Sequence, residues 1–397
     1  MAAPRRQAVR SQPYLLTTLT LKANLKLVVD EAIPYLRGMA EHLGTVRYLP
    51  GAAITAADVA DADALVVRTR TRCHEALLAH SRVRFIATAT IGYDHLDTAW
   101  LAKAGIAWQN CPGCNAESVA QYFTSCMLLL AAHGCWHEGA TLVPLTQAVQ
   151  PAEGWREVFA RLTLGVVGVG HVGTAVCQAA ERLGFGRIVA CDPPRAERGD
   201  LPRWPLLPLD EVARQADVIT LHTPLAVAPA PHPTFHLAHS AFFSQLKRGA
   251  VFVNSSRGEV ACTEALLQAL QCGTVRAAVV DTWEHEPQPS AELLRQCFIA
   301  TPHIAGYSAD GKANGTRMAL AAVARHFGLD ATPFAAIEPP TPPQGVPYYP
   351  EGHAWQLAPE LAAYDPTRDH CLLLEQPDRF ETLRSHYPLR REYHAAH

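Results

Sequence analysis

A glycine-rich turn between an apolar run and an amphipathic pattern is the feature that most constrains the fold. The run at 164–168 predicts a strand, the turn reads Gly168-Val169-Gly170-His171-Val172-Gly173, and the pattern at 171–183 predicts a helix. The first glycine permits a tight bend, the second lets a pyrophosphate approach the backbone, and the third lets helix and strand pack closely. Free N–H groups at the start of the helix then face the phosphates. The residues predicted to contact a dinucleotide here are Gly168, Gly170, His171, Val172 and Gly173.

An acidic residue follows this turn at the spacing that a dinucleotide site needs. Asp192 lies 19 residues after Gly173, at the end of the next predicted strand. Its carboxylate can accept hydrogen bonds from the adenosine ribose hydroxyls and would repel a 2′-phosphate. We therefore predict NAD as the cofactor. Arg195 and Arg198 are close by in the sequence and leave NADP open as the alternative.

Strand and helix patterns alternate along most of the chain. Nearly continuous apolar strands that alternate with helices indicate parallel sheets covered on both faces, so the predicted fold class is α/β. Because the glycine turn begins only at residue 168, a whole α/β unit precedes the dinucleotide unit. Apart from those around the turn, the predicted strands are 25–30, 64–67, 83–87, 187–191, 217–221, 250–254, 276–280 and 298–300, and the predicted helices are 115–132, 263–270 and 308–326.

Composition argues against several other classes of function. The chain has 34 Lys+Arg against 37 Asp+Glu, a formal charge of −3, and lacks the basic excess of a dedicated nucleic-acid-binding protein. No apolar run reaches the roughly 18 residues of a membrane span. Eleven cysteines without a signal-peptide pattern predict a cytoplasmic location, although the absence of acidic residues from the first 29 leaves an organelle transit peptide open. Cys111 and Cys114 form a single Cys-x-x-Cys pair, which does not complete a four-thiolate site, and we predict no metal.

Three polar residues follow predicted strands in the second half of the chain: Arg257, Glu286 and His303. Because the carboxyl ends of parallel strands meet at one edge of a sheet, we expect these side chains to face the same crevice. Taken singly, Arg257 would be interpreted as a surface residue and His303 as a core histidine. Together, downstream of a nucleotide turn, the three predict a catalytic site.

The order Arg, Glu, His resembles the catalytic set of the D-isomer-specific 2-hydroxyacid dehydrogenases. The resemblance extends from about Leu25 to the end of the chain, and the segments that carry it further are 88–95, 112–116, 191–200 and 301–307. It implies that Arg257 holds the substrate carboxylate, that His303 transfers the hydroxyl proton, and that Glu286 hydrogen-bonds the imidazole and fixes its tautomer. It also implies four further cofactor contacts, which are Thr223, Ser255, Asp281 and Gly306.

A narrower resemblance is to the branch of this family that oxidises a phosphorylated sugar acid in pyridoxal 5′-phosphate biosynthesis. It implies substrate contacts at Thr69, Thr90 and Tyr307. We add Arg68 and Arg70 as candidates for binding the phosphate, because they follow a predicted strand and alternate with hydroxyl residues. Two alternatives stay open: another D-2-hydroxyacid dehydrogenase, of the phosphoglycerate or glyoxylate type, and an NADH-sensing binding protein of the same fold.

The resemblance also implies a domain organisation. It predicts two Rossmann-like, doubly wound parallel-sheet domains with a cleft between them: a substrate (lid) domain at 25–133, completed by 304–330, and an NAD-binding domain at 134–303. Residues 1–24 are predicted to be a disordered extension. A small C-terminal α+β dimerisation region at 331–397 is shortened relative to the family, and it predicts a homodimer.

Overall fold

A five-stranded parallel sheet forms the first half of the framework. The computed structural model describes residues 25–136, 141–145, 147, 155–340, 361 and 364–392. The strands of the first sheet are β1 (Leu25–Asp30), β2 (Gly44–Leu49), β3 (Ala64–Val67), β4 (Phe85–Thr88) and β5 (Ala107–Gln109). Their order across the sheet is β2-β1-β3-β4-β5, and all neighbours are parallel. This doubly wound order has its topological switch between β1 and β3, where ligands bind in open α/β sheets.

A six-stranded parallel sheet forms the second half. Its strands are β6 (Thr163–Val167), β7 (Arg187–Cys191), β8 (Val218–Leu221), β9 (Ala250–Asn254), β10 (Val275–Val280) and β11 (Ile299–Ala300). They lie in the order β11-β10-β9-β8-β6-β7, and an isolated parallel bridge between Ala190 and Leu206 extends the pairing beyond β7. Counting that bridge as a rudimentary third strand gives the order 3-2-1-4-5-6-7, which is the Rossmann order 3-2-1-4-5-6 with β11 added at the far edge and the switch between β6 and β8.

Helices cover the faces of both sheets. The described α-helices are α1 (Ala56–Val59), α2 (Glu75–Leu78), α3 (Thr98–Ala104), α4 (Ala116–Ala132), α5 (Trp155–Phe159), α6 (His171–Leu183), α7 (Pro193–Glu197), α8 (Leu209–Gln215), α9 (Ser240–Ser244), α10 (Thr263–Gln271), α11 (Ala291–Gln296), α12 (Ala309–His326), α13 (Thr367–Glu375) and α14 (Phe380–Ser385). Every residue of β3, β4, β8 and β9 is buried, as expected for strands that helices cover on both sides.

The elements predicted from apolar runs and helical patterns are confirmed, with ends that differ by at most two residues. Two strands were not predicted. In the edge strand β2, half-buried and exposed positions alternate over the first four residues, and its sequence lacks a continuous apolar run. The other, β5, has only three residues and lies at the opposite edge.

The long helix α4 packs in the core of the second sheet. Its residues from Val119 to Ala131 share an apolar cluster with strand residues Leu164 and Val166 and with α6. The predicted boundary at residue 133 assigns this helix to the first domain. We instead propose that the second domain begins at or before α4, because its apolar side chains complete the core beneath the dinucleotide turn.

The described C-terminal residues pack against the second sheet and have no separate core. Tyr364 and Tyr387 join the cluster that contains α4, whereas Leu373 and Phe380 join the cluster on the other face of the sheet. His370, in α13, accepts a hydrogen bond through Nδ1 from the backbone N–H of Ala300 in the edge strand β11 (3.0 Å). Helices account for the described part of the predicted α+β region, and its role in dimerisation stays a prediction. The predicted disordered extension, 1–24, lies outside the described residues.

None of the helices among the described residues is both long enough and apolar enough to span a lipid bilayer.

Candidate active site

The glycine turn has the local geometry that a bound pyrophosphate requires. Gly168 has a φ of +88°, and a Cβ there would lie 2.7 Å from the carbonyl oxygen of His222. A Cβ on Gly173 would collide with the carbonyl oxygen of Gly168, whereas a Cβ on Gly170 would meet nothing within 4 Å. The outer glycines therefore serve strand and helix packing, and the middle one faces open space. His171 is exposed and Val172 half-buried in the first turn of α6.

The switch point of the second sheet offers an unpaired polar group beside this turn. Thr223 follows β8, and its methyl group would lie 3.1 Å from a Cβ on Gly168. Its hydroxyl is buried and has no hydrogen-bond partner within the described part of the protein. A buried hydroxyl without a partner is costly unless a ligand completes it. The unpaired hydroxyl of Thr223 and the open face of the glycine turn fit a bound dinucleotide.

Asp192 links the turn to the end of β7. One carboxylate oxygen accepts a hydrogen bond from the backbone N–H of Val169 (2.8 Å), and the other accepts one from the N–H of Arg195 (3.0 Å). The guanidinium of Arg195 binds the Asp200 carboxylate through two nitrogens, at 2.9 and 2.8 Å. Because Asp200 already compensates this cation, Arg195 is not free for a 2′-phosphate. The arrangement favours NAD over NADP.

His303 and Glu286 form a hydrogen-bonded pair. The Nδ1 atom of His303 lies 2.8 and 3.0 Å from the two carboxylate oxygens of Glu286. Glu286 is also fixed by the backbone N–H of Trp283, which donates to it at 3.0 Å. A carboxylate can only accept, so Nδ1 carries the proton and Nε2 keeps its lone pair for a ligand. The sequence prediction that these residues meet agrees with this geometry.

The charge of Glu286 is stabilised within the site. Burial raises the pKa of its carboxyl, but the adjacent His303, the hydrogen bonds from His303 and Trp283, and the charge of Arg384 together hold it below its ordinary value. Glu286 therefore stays ionised at neutral pH and holds the imidazole in the tautomer described above.

The loop that carries His303 is held by a buried carboxylate. Asp281 accepts hydrogen bonds from the N–H groups of Ile304 (2.8 Å) and Ala305 (3.0 Å) and from the hydroxyl of Thr301 (2.6 Å). Its own carbonyl accepts a bond from the N–H of His303 at 2.8 Å. His303 itself has a left-handed φ of +58°. In this structure Asp281 positions the catalytic loop, and its predicted contact with the cofactor stays a prediction.

Arg257 reaches from the second sheet to a loop of the first. Its Nη2 lies 3.3 Å from the Asp94 carboxylate, and its Nη1 donates to the carbonyl of Ser256 at 2.8 Å. A side chain at Gly92 would collide with the same guanidinium. Ser255, beside it in the chain, is half-buried just after β9. Arg257 therefore lies at the contact between the two sheet units, and its predicted role in holding the substrate carboxylate stays a prediction.

The predicted substrate residues lie at the carboxyl ends of strands in the first sheet. Thr69 is exposed after β3, and Arg68 donates to the carbonyl of Ala32 at 2.8 Å. The Thr90 hydroxyl donates to the carbonyl of Gly92 at 2.8 Å, which places it beside the loop that contacts Arg257. Arg70 does not have a free guanidinium, because it forms an ion pair with Glu381 of α14.

Several residues of the site were not predicted from the sequence. Asn115 donates to the carbonyl of Gly306 at 3.1 Å, and its amide oxygen is buried without a partner among the described residues. Lys312 lies 3.7 Å from the centre of the Tyr307 ring, and the positive charge of Arg384 lowers the pKa of the same tyrosine. Asn115 lay within a recognised segment, 112–116, but nothing local in the sequence distinguishes Lys312 or Arg384 from surface cations.

The Cys-x-x-Cys pair contributes to packing. The thiol of Cys111 donates to the carbonyls of Thr88 (3.3 Å) and Gly315 (3.2 Å), which joins the end of β4 to α12. Burial raises the pKa of Cys111 and raises that of Cys114 to about 11. Both thiols are therefore protonated at neutral pH.

This geometry defines a class: dehydrogenases that use a nicotinamide dinucleotide to oxidise a hydroxyl group next to a carboxylate. Residues 127–305 match the family model described as D-isomer specific 2-hydroxyacid dehydrogenase, NAD binding domain. The chain is 45% identical over 369 residues to erythronate-4-phosphate dehydrogenase of Bacteroides fragilis, covering 93% of this chain and 97% of the relative. For the Escherichia coli enzyme of the same name, identity is 38% over 377 residues, covering 93% and 92%.

A solved structure shows the same architecture. D-lactate dehydrogenase of Aquifex aeolicus, crystallised with NAD and lactic acid, superposes with a TM-score of 0.59 at 22% identity, covering 80% of this chain and all (100%) of that one. This likeness concerns the fold. The sequence relatives carry the assignment further: the chain belongs to the erythronate-4-phosphate dehydrogenase family, within the D-isomer specific 2-hydroxyacid dehydrogenases. The cofactor of the matched domain is NAD.

Replacing Asp192 with asparagine should weaken the preference for NAD over NADP. The amide retains an acceptor for the N–H of Val169 but removes the charge that repels a 2′-phosphate. We expect the ratio of kcat/KM for NAD to that for NADP to fall by at least about tenfold, which is 1.4 kcal/mol. Steady-state kinetics with both cofactors measure it, and an unchanged ratio would contradict the role of Asp192.

Proposed function

We propose that this protein oxidises 4-phospho-D-erythronate at C2 with NAD, giving (R)-3-hydroxy-2-oxo-4-phosphooxybutanoate, in the biosynthesis of pyridoxal 5′-phosphate. The observation that carries the proposal is the His303–Glu286 pair beside a cluster of cations, in a chain 45% identical to an enzyme named for this substrate. A 2-hydroxy acid needs a group that takes its hydroxyl proton, and a phosphorylated one also needs positive charge at its other end.

The chain's own residues supply the acid–base chemistry and the orientation of the substrate. NAD, held at the glycine turn of β6 and α6, would supply the acceptor for the hydride at C2. His303 takes the hydroxyl proton at Nε2, because Nδ1 donates to the ionised Glu286. The guanidinium of Arg257 binds the carboxylate with two parallel hydrogen bonds and stabilises negative charge on the reacting oxygen. Binding the substrate between the two sheets excludes water from this transfer.

The alternatives differ in what they need from the first sheet. A glyoxylate-type enzyme needs no second anion site, and a phosphoglycerate-type enzyme places its phosphate one carbon closer. An NADH-sensing protein needs no proton acceptor poised at Nε2. The cations around Tyr307 favour a phosphorylated acid, and the orientation of the His303–Glu286 pair favours catalysis.

Initial rates of NADH formation from 4-phospho-D-erythronate and from 3-phospho-D-glycerate test the proposal. We expect kcat/KM to be higher for the four-carbon acid by about 10- to 100-fold, the discrimination that a misplaced group of this size produces. A higher value for phosphoglycerate would assign the protein to that type. Tight NADH binding without turnover of either acid would assign it to the sensors.

A homodimer in the cytoplasm belongs to the same proposal. The family resemblance supports both, and the near-neutral formal charge of −3 supports a partner that is a small molecule and not a nucleic acid.

A further inference from the structure

Cationic side chains lie around Tyr307. Lys312, in α12, lies 3.7 Å from the ring centre. Arg384, in α14, lies 3.7 Å from the Glu286 carboxylate, and its charge lowers the pKa of Tyr307. Arg68, at the end of β3, is close enough for its charge to act on both Tyr307 and Lys312. Three positive side chains from three separate segments therefore converge on one phenol. We call Lys312, Arg384 and Tyr307 the tyrosine cluster.

The positive charge of this cluster is only partly compensated. Among the residues that the structure describes, Lys312 forms no ion pair with a carboxylate, and it is half-buried. The closest carboxylate oxygens to Arg384 are those of Glu286 (3.7 Å) and Glu381 (4.0 Å), both longer than a hydrogen bond. The Nε atom of Arg384 is buried and has no acceptor in the described chain. Buried donors and cations without acceptors indicate a missing anion.

The electrostatics of the cluster agree with that interpretation. Burial, opposed by Tyr307 and assisted by Arg68, lowers the pKa of Lys312 to about 8. Burial raises the pKa of Tyr307, but Lys312, Arg384 and Arg68 together bring it below its ordinary value. The lowered pKa of Tyr307 indicates positive potential at this point, which an anion would relieve, and that of Lys312 follows mainly from burial.

The cluster lies next to the catalytic pair. The Glu286 oxygen that lies 3.7 Å from Arg384 is also the one 2.8 Å from Nδ1 of His303. In 4-phospho-D-erythronate the phosphate is two carbons beyond the carbon that is oxidised. That phosphate would therefore lie in an anion site that is separate from Arg257, the residue that binds the carboxylate.

We propose that Lys312 and Arg384, with the hydroxyl of Tyr307, bind the phosphate of the substrate and select phosphorylated acids. The inference rests on the proposed function. A phosphate dianion has three strong acceptor oxygens, which match an ammonium, a guanidinium and a phenol hydroxyl. The C-terminal segment thus supplies a substrate-binding residue, Arg384, to a site otherwise built from the two sheets.

Calorimetry on the NADH complex tests this without turnover, because reduced cofactor cannot oxidise the acid. In Lys312→Met and Arg384→Met we expect the Kd for 4-phospho-D-erythronate to rise at least about tenfold each, as for loss of a charged hydrogen bond. In the same variants the Kd for unphosphorylated D-erythronate should rise by a clearly smaller factor, because that acid has no phosphate to lose a contact. Lys312→Arg and Arg384→Lys, which keep the charge, should recover much of the affinity.

Matched controls are Lys103→Met and Arg295→Met, which remove exposed cations from the last turns of α3 and α11. They should leave the Kd unchanged. An unaltered Kd in both cluster variants would overturn the inference. So would an equal loss for D-erythronate, because the cations would then only position Tyr307 and the His303 loop.

Failure of the proposed function gives a different result. In that case the unmodified enzyme prefers 3-phospho-D-glycerate or turns over neither acid. The calorimetric comparison remains decisive, with 3-phospho-D-glycerate as the ligand, because it measures the phosphate contact and not the reaction.

Discussion

Replacing His303 with asparagine should lower kcat by about 10²–10⁴-fold, the usual contribution of a positioned general acid–base group. Asparagine suits this position because the φ of His303 is +58°, a region that asparagine adopts more readily than other side chains do. The loop should therefore keep its course, held by Asp281 through the N–H groups of Ile304 and Ala305. What disappears is the acceptor that takes the proton of the substrate hydroxyl.

NADH binding separates this loss from misfolding. The dinucleotide turn is formed by β6 and α6, and none of its hydrogen bonds involves His303. We expect the Kd for NADH, measured by fluorescence, to stay within about threefold of the unmodified value. Turnover within tenfold of normal would show that another group accepts the proton. Loss of NADH binding would place His303 in the cofactor site.

Most of the framework could be predicted because its signals are local. Strands such as β3 and β9 are continuous apolar runs, and the turn at 168–173 carries its requirements in its own glycines. The edge strand β2 could not be predicted in the same way, because none of its residues is fully buried and its sequence has no continuous apolar run. Burial, which decides the strand pattern, depends on neighbours that the sequence does not display.

The residues of the site likewise divide into those with a local sequence signal and those without one. Arg257 and His303 lie in short motifs beyond strand ends, where chain direction in a parallel sheet dictates that side chains meet. Asp94 contacts Arg257, which is 163 residues away in the chain, and Arg384 lies near Glu286, which is 98 residues away (384 − 286). No local sequence pattern predicts such a contact. The phosphate candidates predicted from the residues after β3 included Arg70, but an ion pair with Glu381 compensates its charge.

The packing of the C-terminal segment is the clearest feature that the sequence does not predict. Arg390, near the end of this segment, is 0% exposed. An arginine is rarely buried unless acceptors surround it, and here they come from two distant segments, α4 and the loop at 304–305. The guanidinium donates to the carbonyls of Ser118 (3.2 Å), Ile304 (3.0 Å) and Ala305, and to the side chain of Gln121 (3.0 Å).

Replacing Arg390 with methionine should release the C-terminal segment from the body of the protein. Methionine fills much of the volume but removes one donor from each of the carbonyls of Ser118, Ile304 and Ala305. The carbonyl of Ile304 still accepts from the N–H of Tyr307 (2.9 Å) and that of Ser118 lies within α4, so the cost of an unpaired buried carbonyl, about 1–3 kcal/mol, applies in full to Ala305. The N–H of Ala309, which donates to the carbonyl of Arg390 at 2.8 Å, reports on this attachment. We expect its hydrogen exchange to accelerate by at least about 100-fold, corresponding to some 2.7 kcal/mol.

The neighbouring arginine provides the matched control. Arg391 binds the Asp310 carboxylate through two nitrogens, both at 2.8 Å, but its side chain is 37% exposed, so water compensates much of its loss. Arg391→Met should accelerate the exchange at Ala309 by less than about fivefold, which is 1 kcal/mol or less. Equal acceleration in the two variants would mean that charge alone anchors the segment. A larger effect at Arg390 would show that one buried guanidinium joins the C-terminal chain to the loop that follows His303. Activity should then fall together with the protection of Ala309 against hydrogen exchange, because Ile304 and Ala305 directly follow the proton acceptor.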